Sequence, residues 1–183
     1  MSEIAVHDYA KAKGFHRQMI ERWLSWAPPD RDALEEIAVS LRISENHLRD
    51  MMDWLEEISL RDEIKIVDLL ANKVIVDVKT DPRLGRPDRL KRVKEQLRRL
   101  RFPRLAVVED RVREKIQALM LPAEIRLSVP PGLEGGRLRV EFSAASLEEL
   151  RSLSEKLRDA AASDFAQEIF QLLSGQSAIE DHR

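Results

Sequence analysis

The chain has 183 residues, of which 43% are hydrophobic, 35% charged and 5% aromatic. This composition is typical of a globular protein with an aliphatic core and a heavily charged surface, and it excludes a disordered chain. Cysteine is absent, which excludes disulfides, thiolate metal sites and a cysteine nucleophile and fits a cytoplasmic location. No apolar run approaches the length of a membrane-spanning helix, and the first 13 residues lack the apolar core of a signal peptide.

The formal net charge of −2 hides a strong asymmetry along the chain. Residues 30–62 contain 4 basic and 10 acidic side chains, whereas residues 83–104 contain 10 basic and only 2 acidic ones. Segment charges of this size are informative about partners rather than about the fold.

The first 55 residues predict three helices. We expect the first over residues 7–26, ended by Pro28 and Pro29, and the second to begin at Asp32, with Glu35 at the spacing of a capping box. Ser44 is placed to cap the third. Its apolar positions recur at helical spacing and comprise Leu48, Met51, Met52 and Leu55.

The next 50 residues carry mixed signals. Residues 59–70 favour a helix, and the alternation of valines with charged residues over 73–79 predicts a short strand. A proline- and glycine-rich break follows, and Pro87 suits the start of a basic helix that Pro103 ends. The apolar positions of this helix form a seam of Leu90, Val93, Leu97 and Leu100.

The C-terminal part alternates helix, hairpin and helix. A helix with Val108, Val112, Ile116 and Leu119 precedes two alternating runs, 125–129 and 138–142, whose short connection rich in proline and glycine predicts a hairpin. Ser146 and Glu149 have capping-box spacing before a leucine-rich helix, and Asp164 is placed to cap a last helix that Gly175 closes.

Together these elements predict a mainly α protein with a small α+β part. We expect a helix-turn-helix domain over residues 1–70, a short strand and basic connecting helix over 71–104, an α-β-β-α dimerisation unit over 105–175, and a disordered tail over 176–183. A lone hairpin is marginally stable in water and leaves its edges open. We therefore expect the C-terminal unit to form a homodimer.

Residues 34–48 have the spacing of a helix-turn-helix, with the small Ala38 at the helix crossing and Ile43 under the turn. In DNA-binding proteins the start of the second helix enters the major groove. The side chains it would present for base readout are Ser44, Asn46, His47 and Arg49. A helical bundle without any DNA needs the same small and apolar positions, and the acidic charge of this segment repels phosphate.

The basic helix is the strongest electrostatic indication of a nucleic-acid partner. The predicted phosphate contacts are Arg89, Arg92, Lys94, Arg98, Arg99, Arg101 and Arg104. An ordinary solvated face mixes charge signs, which this helix hardly does. The alternative is that the basic helix pairs with the acidic segment 30–62, within one chain or between chains.

Catalytic and metal-binding patterns are weak. The four histidines are scattered without ligand spacing, and the glycines at 132, 135 and 136 lead into a strand rather than into a phosphate-binding helix. We therefore expect no enzyme activity, no metal, no cofactor and no small-molecule substrate.

The segment 135–142, followed by 146–150, resembles the C-terminal dimerisation module of ParB-type partition proteins, and residues 34–55 are similar to that family's helix-turn-helix. The resemblance covers about half the chain. It implies dimerisation through the C-terminal sheet and DNA contact by the helix-turn-helix. The family's nucleotide-binding domain, with its Gly-Glu-Arg-Arg signature, is absent from this sequence, so nucleotide-gated clamping is not implied.

The sequence thus predicts a non-enzymatic protein that binds double-stranded DNA as a dimer, in chromosome organisation or transcription. The alternative function is a protein–protein adaptor, in which the helix-turn-helix bundle is a scaffold and the basic helix pairs with an acidic protein surface.

Overall fold

A computed structural model describes residues 3–175, which form two compact units that divide after Phe102. The architecture confirms the predicted fold class: mainly α, with one small antiparallel sheet in the second unit. The predicted connecting helix belongs to the first unit rather than standing between two domains. The predicted tail, 176–183, lies outside the described residues.

Over its described residues, 3–102, the first unit is built from seven helices: α1 (Glu3–Ala12), α2 (Arg17–Leu24), α3 (Pro28–Leu41), α4 (Glu45–Asp62), α5 (Ile66–Leu70), α6 (Lys73–Thr80) and α7 (Arg86–Arg101). They surround one core that includes Trp23, Leu34 and the predicted stripe of α4. Val93 and Leu97 of the basic helix are fully buried in the same core. The helical seam read from α7 is therefore confirmed, and it holds α7 against the bundle.

The predicted first helix is two helices. Gly14 has a φ of +71°, a left-handed conformation that glycine adopts without steric cost, and it ends α1. The Phe15 amide donates to the Ala10 carbonyl, and the buried Phe15 side chain turns the chain into α2. The prediction of one continuous helix over 7–26 was wrong because the left-handed glycine separates two helices.

The start of the second helix was also misplaced. Pro28 and Pro29 occupy the first turn of α3, where the missing amide proton and fixed φ of proline fit, and Asp32 lies inside the helix. Ser44 does occupy the N-cap of α4, although its side chain makes no capping hydrogen bond. The helix predicted over 59–70 is interrupted after Asp62, where Glu63 has a φ of +55°.

Residues 73–80 form helix α6, so the predicted strand over 73–79 was wrong. The Asn72 side chain accepts the Val74 amide at 3.0 Å and caps the helix. Ile75 is buried and Val78 packs against the core three residues later, whereas Val74 is 49% exposed. Packing at helical spacing overrides the strand propensity of the valines.

The second unit consists of α8 (Pro103–Ala118), β1 (Arg126–Ser128), β2 (Arg139–Glu141), α9 (Leu147–Ala161) and α10 (Asp164–Leu173). Pro103 ends the basic helix, as predicted, and is also the first residue of α8. The hairpin is confirmed, but each strand has only three residues, with Leu127 opposite Val140. Because Ser163 accepts the Ala166 amide, it is the cap of α10, and the prediction of Asp164 as cap was wrong by one residue.

The core of the second unit lies between α8 and α10 and is centred on Val112, Ile169 and Leu173. Gly136, in the hairpin loop, comes so close to α10 that an added Cβ would lie 3.2 Å from the Leu173 carbonyl oxygen. The predicted cap of α9 is confirmed, since Ser146 accepts the Glu149 amide, but the Glu149 side chain accepts the amide of Ala145, one residue before the cap, instead of that of Ser146.

Candidate nucleic-acid interface

Helices α3 and α4 and the short turn between them have the arrangement of a helix-turn-helix. The turn begins at Arg42, which has a φ of +52°, and buries Ile43 completely beneath it. The Ile43 amide returns to the Ala38 carbonyl at 3.0 Å, which closes the end of α3. Ala38 is fully buried, as expected of a small residue where two helices approach closely.

The four predicted base-reading residues lie together at the start of α4, and all are exposed: Ser44, Asn46, His47 and Arg49. Arg49 is held by Glu45 at 3.2 Å one turn earlier on the same helix. Its guanidinium therefore already has a carboxylate partner within the chain, whereas the Asn46 side chain, in the first turn of α4, is exposed.

Glu45 connects α4 to the start of α2. Its carboxylate lies 2.9 Å from the His16 Nδ1 and also accepts the His16 backbone amide at 3.1 Å. The hydrogen bond from the His16 side chain, more than any other interaction, lowers the pKa of Glu45. An ionised Glu45 fixes the first turn of α4 against α2.

Helix α4 carries an acidic stripe of Asp50, Asp53, Glu56 and Glu57, and a cation from α2 neutralises one side of it. Arg22 lies 2.7 Å from Asp53 and 2.6 Å from Glu56. Burial opposes ionisation of Glu56, but hydrogen bonds from Arg22 and from the Trp26 indole outweigh it, so the pKa of Glu56 is lowered.

Helix α7 neutralises the same stripe from the other side. Lys94 donates to Asp50 at 2.7 Å, and Arg101 lies 2.7 Å from Glu57. From the first pair to the second, the chain advances by seven residues on α4 and by seven on α7, so the two helices run in the same direction. Arg61, near the end of α4, also donates to the Leu100 and Arg101 carbonyls at the end of α7.

The internal pairing of the basic helix with the acidic segment, left open by the sequence, is thus present for two of the predicted phosphate contacts. A third, Arg98, makes two hydrogen bonds to Glu95 on its own helix. Arg99 is half-buried on α7, and Arg104 lies on α8 in the second unit. The predicted set therefore does not act as one continuous row of solvent-facing cations.

Within α7, the exposed cations lie toward the beginning of the helix. Arg86, Lys91 and Arg92 are exposed, and within residues 3–175 no carboxylate comes within salt-bridge distance of any of them. Arg89 is half-buried, and its Nε is buried without a hydrogen bond from the described part of the chain.

Arg83, just before this helix, forms an ion pair within the chain. Its guanidinium makes two hydrogen bonds to Asp81, and these bonds lower the pKa of that carboxyl to about 2. Among the predicted phosphate contacts on α7, Arg92 is exposed; the exposed Arg86 and Lys91 in the same first two turns were not among the predicted contacts.

The start of α4 and the start of α7 adjoin each other. The Lys94 ammonium lies 3.3 Å from His47 Nδ1 and 5.2 Å from the centre of the Trp54 ring. A cleft of about 350 Å³ lies between the two helices, with Trp54 and Leu90 among its apolar lining and Lys91 among its cations. The base-reading set and the phosphate set, predicted from separate patterns, meet at this cleft.

Sequence reasoning missed three residues that position this surface: Tyr9, Arg22 and Trp54. The Trp54 ring packs beneath the Lys94 ammonium, a contact between residues 40 positions apart. Tyr9 and Arg22 act through contacts about 30 residues away along the chain, which no local spacing signals.

Within the described residues, no group of acidic or histidine side chains is arranged to hold a metal ion, and no helix is long and apolar enough to cross a bilayer. No protein-family model, curated protein or solved structure shows a significant match to this chain. The resemblance to ParB-type proteins therefore stays a prediction that rests on the residues quoted for it.

Proposed function

We propose that this protein is a non-enzymatic, double-stranded-DNA-binding protein that acts as a homodimer. The observation that carries the proposal is the contact of His47 with Lys94, which joins the start of α4, the predicted reading helix, to the middle of the basic helix α7. A helix-turn-helix needs both base-reading side chains and neighbouring cations that fix its position on the phosphate backbone.

The charge on α4 was the main argument against DNA contact by this face. That argument is weakened because its carboxylates at positions 50, 53, 56 and 57 pair with cations from α2 and α7. The first unit contains 20 basic and 19 acidic residues, so its overall charge does not repel DNA. Arg86, Lys91 and Arg92 then supply local positive potential beside the reading helix.

A salt titration tests the DNA-binding part. If three cations of α7 each neutralise a phosphate, affinity for a labelled mixed-sequence duplex falls about 40-fold between 50 and 200 mM salt. Replacement of Arg86, Lys91 and Arg92 by Glu should abolish this binding. The matched control replaces three exposed lysines outside α4 and α7, Lys11, Lys65 and Lys73, by Glu, and should bind far better than the first variant.

Two outcomes would contradict the DNA proposal: equal losses in the two triple variants, or no binding by the wild-type chain at 50 mM salt. The second outcome would favour the alternative function, an adaptor whose basic helix meets an acidic protein surface.

The dimer part rests on the free edge of β2. Strand β2 is Arg139-Val140-Glu141, and Val140 is 40% exposed. A two-fold antiparallel pairing centred on Val140 sets Arg139 opposite Glu141 of the partner subunit, and the reverse pair forms by symmetry. Leu138 and Phe142 meet across the same axis on the apolar face. Strand β1, Arg-Leu-Ser, offers no such charge match.

Sedimentation velocity tests the dimer. Arg139→Glu places like charges opposite each other and should weaken dimerisation by about tenfold, whereas the double reversal Arg139→Glu/Glu141→Arg should restore it. A monomeric wild-type chain at micromolar concentration, or a double variant no better than the single one, would contradict the proposed pairing.

A further inference from the structure

The cleft between α4 and α7 has the properties of an anion site. Lys91 and Lys94 both line it, and Trp54 and Leu90 give it an apolar wall. Glu95 is the carboxylate in the lining, and it is engaged by Arg98 through two hydrogen bonds. A cleft of about 350 Å³ is large enough to admit a phosphate group with its ester substituents.

Lys94 is the central group of this cleft. Its side chain is only 20% exposed, and its ammonium is fixed by Asp50 at 2.7 Å and by the Trp54 ring. An ammonium only donates hydrogen bonds, so His47 Nδ1 is the acceptor in this contact and Nε2 is the ring nitrogen left to act as a donor. His47 thus presents a second N–H donor beside the ammonium.

We propose that this cleft binds a phosphate group through Lys91, Lys94 and His47, and that the Asp50 carboxylate occupies Lys94 until a phosphate arrives. Asp50 is half-exposed, on α4, one turn after His47. The phosphate would come from the DNA backbone, which rests on the function proposed above, or from a free phosphate compound. The Asp50 carboxylate accordingly competes with other anions for the Lys94 ammonium, so an anion that binds weakly does not displace it.

The Asp50→Asn variant should release Lys94 toward the ligand. One additional phosphate contact steepens the dependence of log affinity on log salt by about 0.9, so the loss of duplex affinity between 50 and 200 mM salt should grow by about 3-fold. The matched control is Asp53→Asn, which removes the same charge from the same helix, but whose partner Arg22 comes from α2 and not from the cleft.

The free-phosphate arm uses pyrophosphate and the full chain. The indole N–H resonance of Trp54, assigned with Trp54→Phe, should shift on titration with millimolar pyrophosphate, and Asp50→Asn should bind about 3-fold more tightly than wild type or Asp53→Asn. Lys91→Gln should weaken the effect. Asp50 is exposed enough for its amide variant to fold, and a thermal melt of each variant verifies this.

The two arms separate the two proposals. A Trp54 shift with pyrophosphate but no duplex binding would support the phosphate site and contradict the DNA function. Duplex binding with equal salt slopes in Asp50→Asn and Asp53→Asn, and no Trp54 shift, would overturn the phosphate site and leave the DNA function standing. No Trp54 shift and no duplex binding would overturn both.

Discussion

The Tyr9 hydroxyl joins α1 to both sides of the turn between α3 and α4. It lies 2.8 Å from the Ala38 carbonyl oxygen and 2.9 Å from the Ile43 carbonyl oxygen, so its single proton is shared between the last turn of α3 and the residue just before the α4 cap. The ring packs edge-on against Phe15 and Trp23. Burial raises the pKa of Tyr9, in keeping with a neutral phenol that donates.

Removal of this hydroxyl should loosen the helix-turn-helix without disturbing the aromatic cluster. Tyr9→Phe is expected to lower the free energy of unfolding by about 1–2 kcal/mol, since the carbonyls of two fully buried residues, Ala38 and Ile43, lose a donor. Urea unfolding followed by tryptophan fluorescence measures the change. A Tyr9→Phe protein as stable as wild type would show that water replaces the phenol at no cost.

The pairing of Glu45 with His16 makes part of the stability depend on pH. Because the pKa of Glu45 is lowered in the folded state, its contribution is present at neutral pH and is lost as the pH falls through that lowered value, below 4.5. Glu45→Gln should therefore destabilise the protein by about 1 kcal/mol at pH 7 and by progressively less in acid.

The control for the Glu45→Gln variant is Glu21→Gln, which breaks an exposed ion pair between Arg17 and Glu21, one turn apart on α2. That variant should cost less at pH 7, because the pair joins no separate elements. Thermal melts from pH 3 to pH 7 give both profiles, and parallel curves for wild type and Glu45→Gln would contradict the assignment.

Asn46 is a predicted base-reading residue that is exposed in the first turn of α4, whereas the predicted reader Arg49 is paired with Glu45. An asparagine that bonds adenine with both amide atoms contributes about 1–3 kcal/mol of discrimination, so Asn46→Ala should flatten the preference at one position of a randomised duplex pool. The salt slope should stay unchanged, since no phosphate contact is removed. Gln117→Ala, an exposed amide on α8, serves as the control, and an unaltered preference in Asn46→Ala would reduce α4 to a scaffold.

Short-range patterns predicted the core of the helix-turn-helix well. Leu48, Met51 and Leu55 recur at helical spacing, and all three are completely buried in α4. The seam of α7 was equally readable, because residues three and four apart on a helix must share a face. In each case the period of the apolar residues and the observed element agree over at least two turns.

The state of the charges could not be predicted in the same way. Lys94 and Asp50 are 44 residues apart, and net segment charge does not say whether two oppositely charged helices pack together or face solvent. Only the fold brings α7 beside α4 in a parallel orientation. That packing removes Lys94 and Arg101 from the open cation set and creates the cleft beside His47.

The N-cap of α6 is the local interaction that favours a helix where a strand over 73–79 was predicted. The Asn72 side chain accepts the Val74 amide and supplies the start of α6, whose sequence is otherwise rich in β-branched residues with low helix propensity. Asn72→Ala should lower the free energy of unfolding by about 1 kcal/mol, and Asn72→Asp should retain the capping acceptor and most of the stability. Urea unfolding of the three proteins decides the matter. Equal stability of Asn72→Ala and wild type would mean that burial of Ile75 alone selects the helix over the strand.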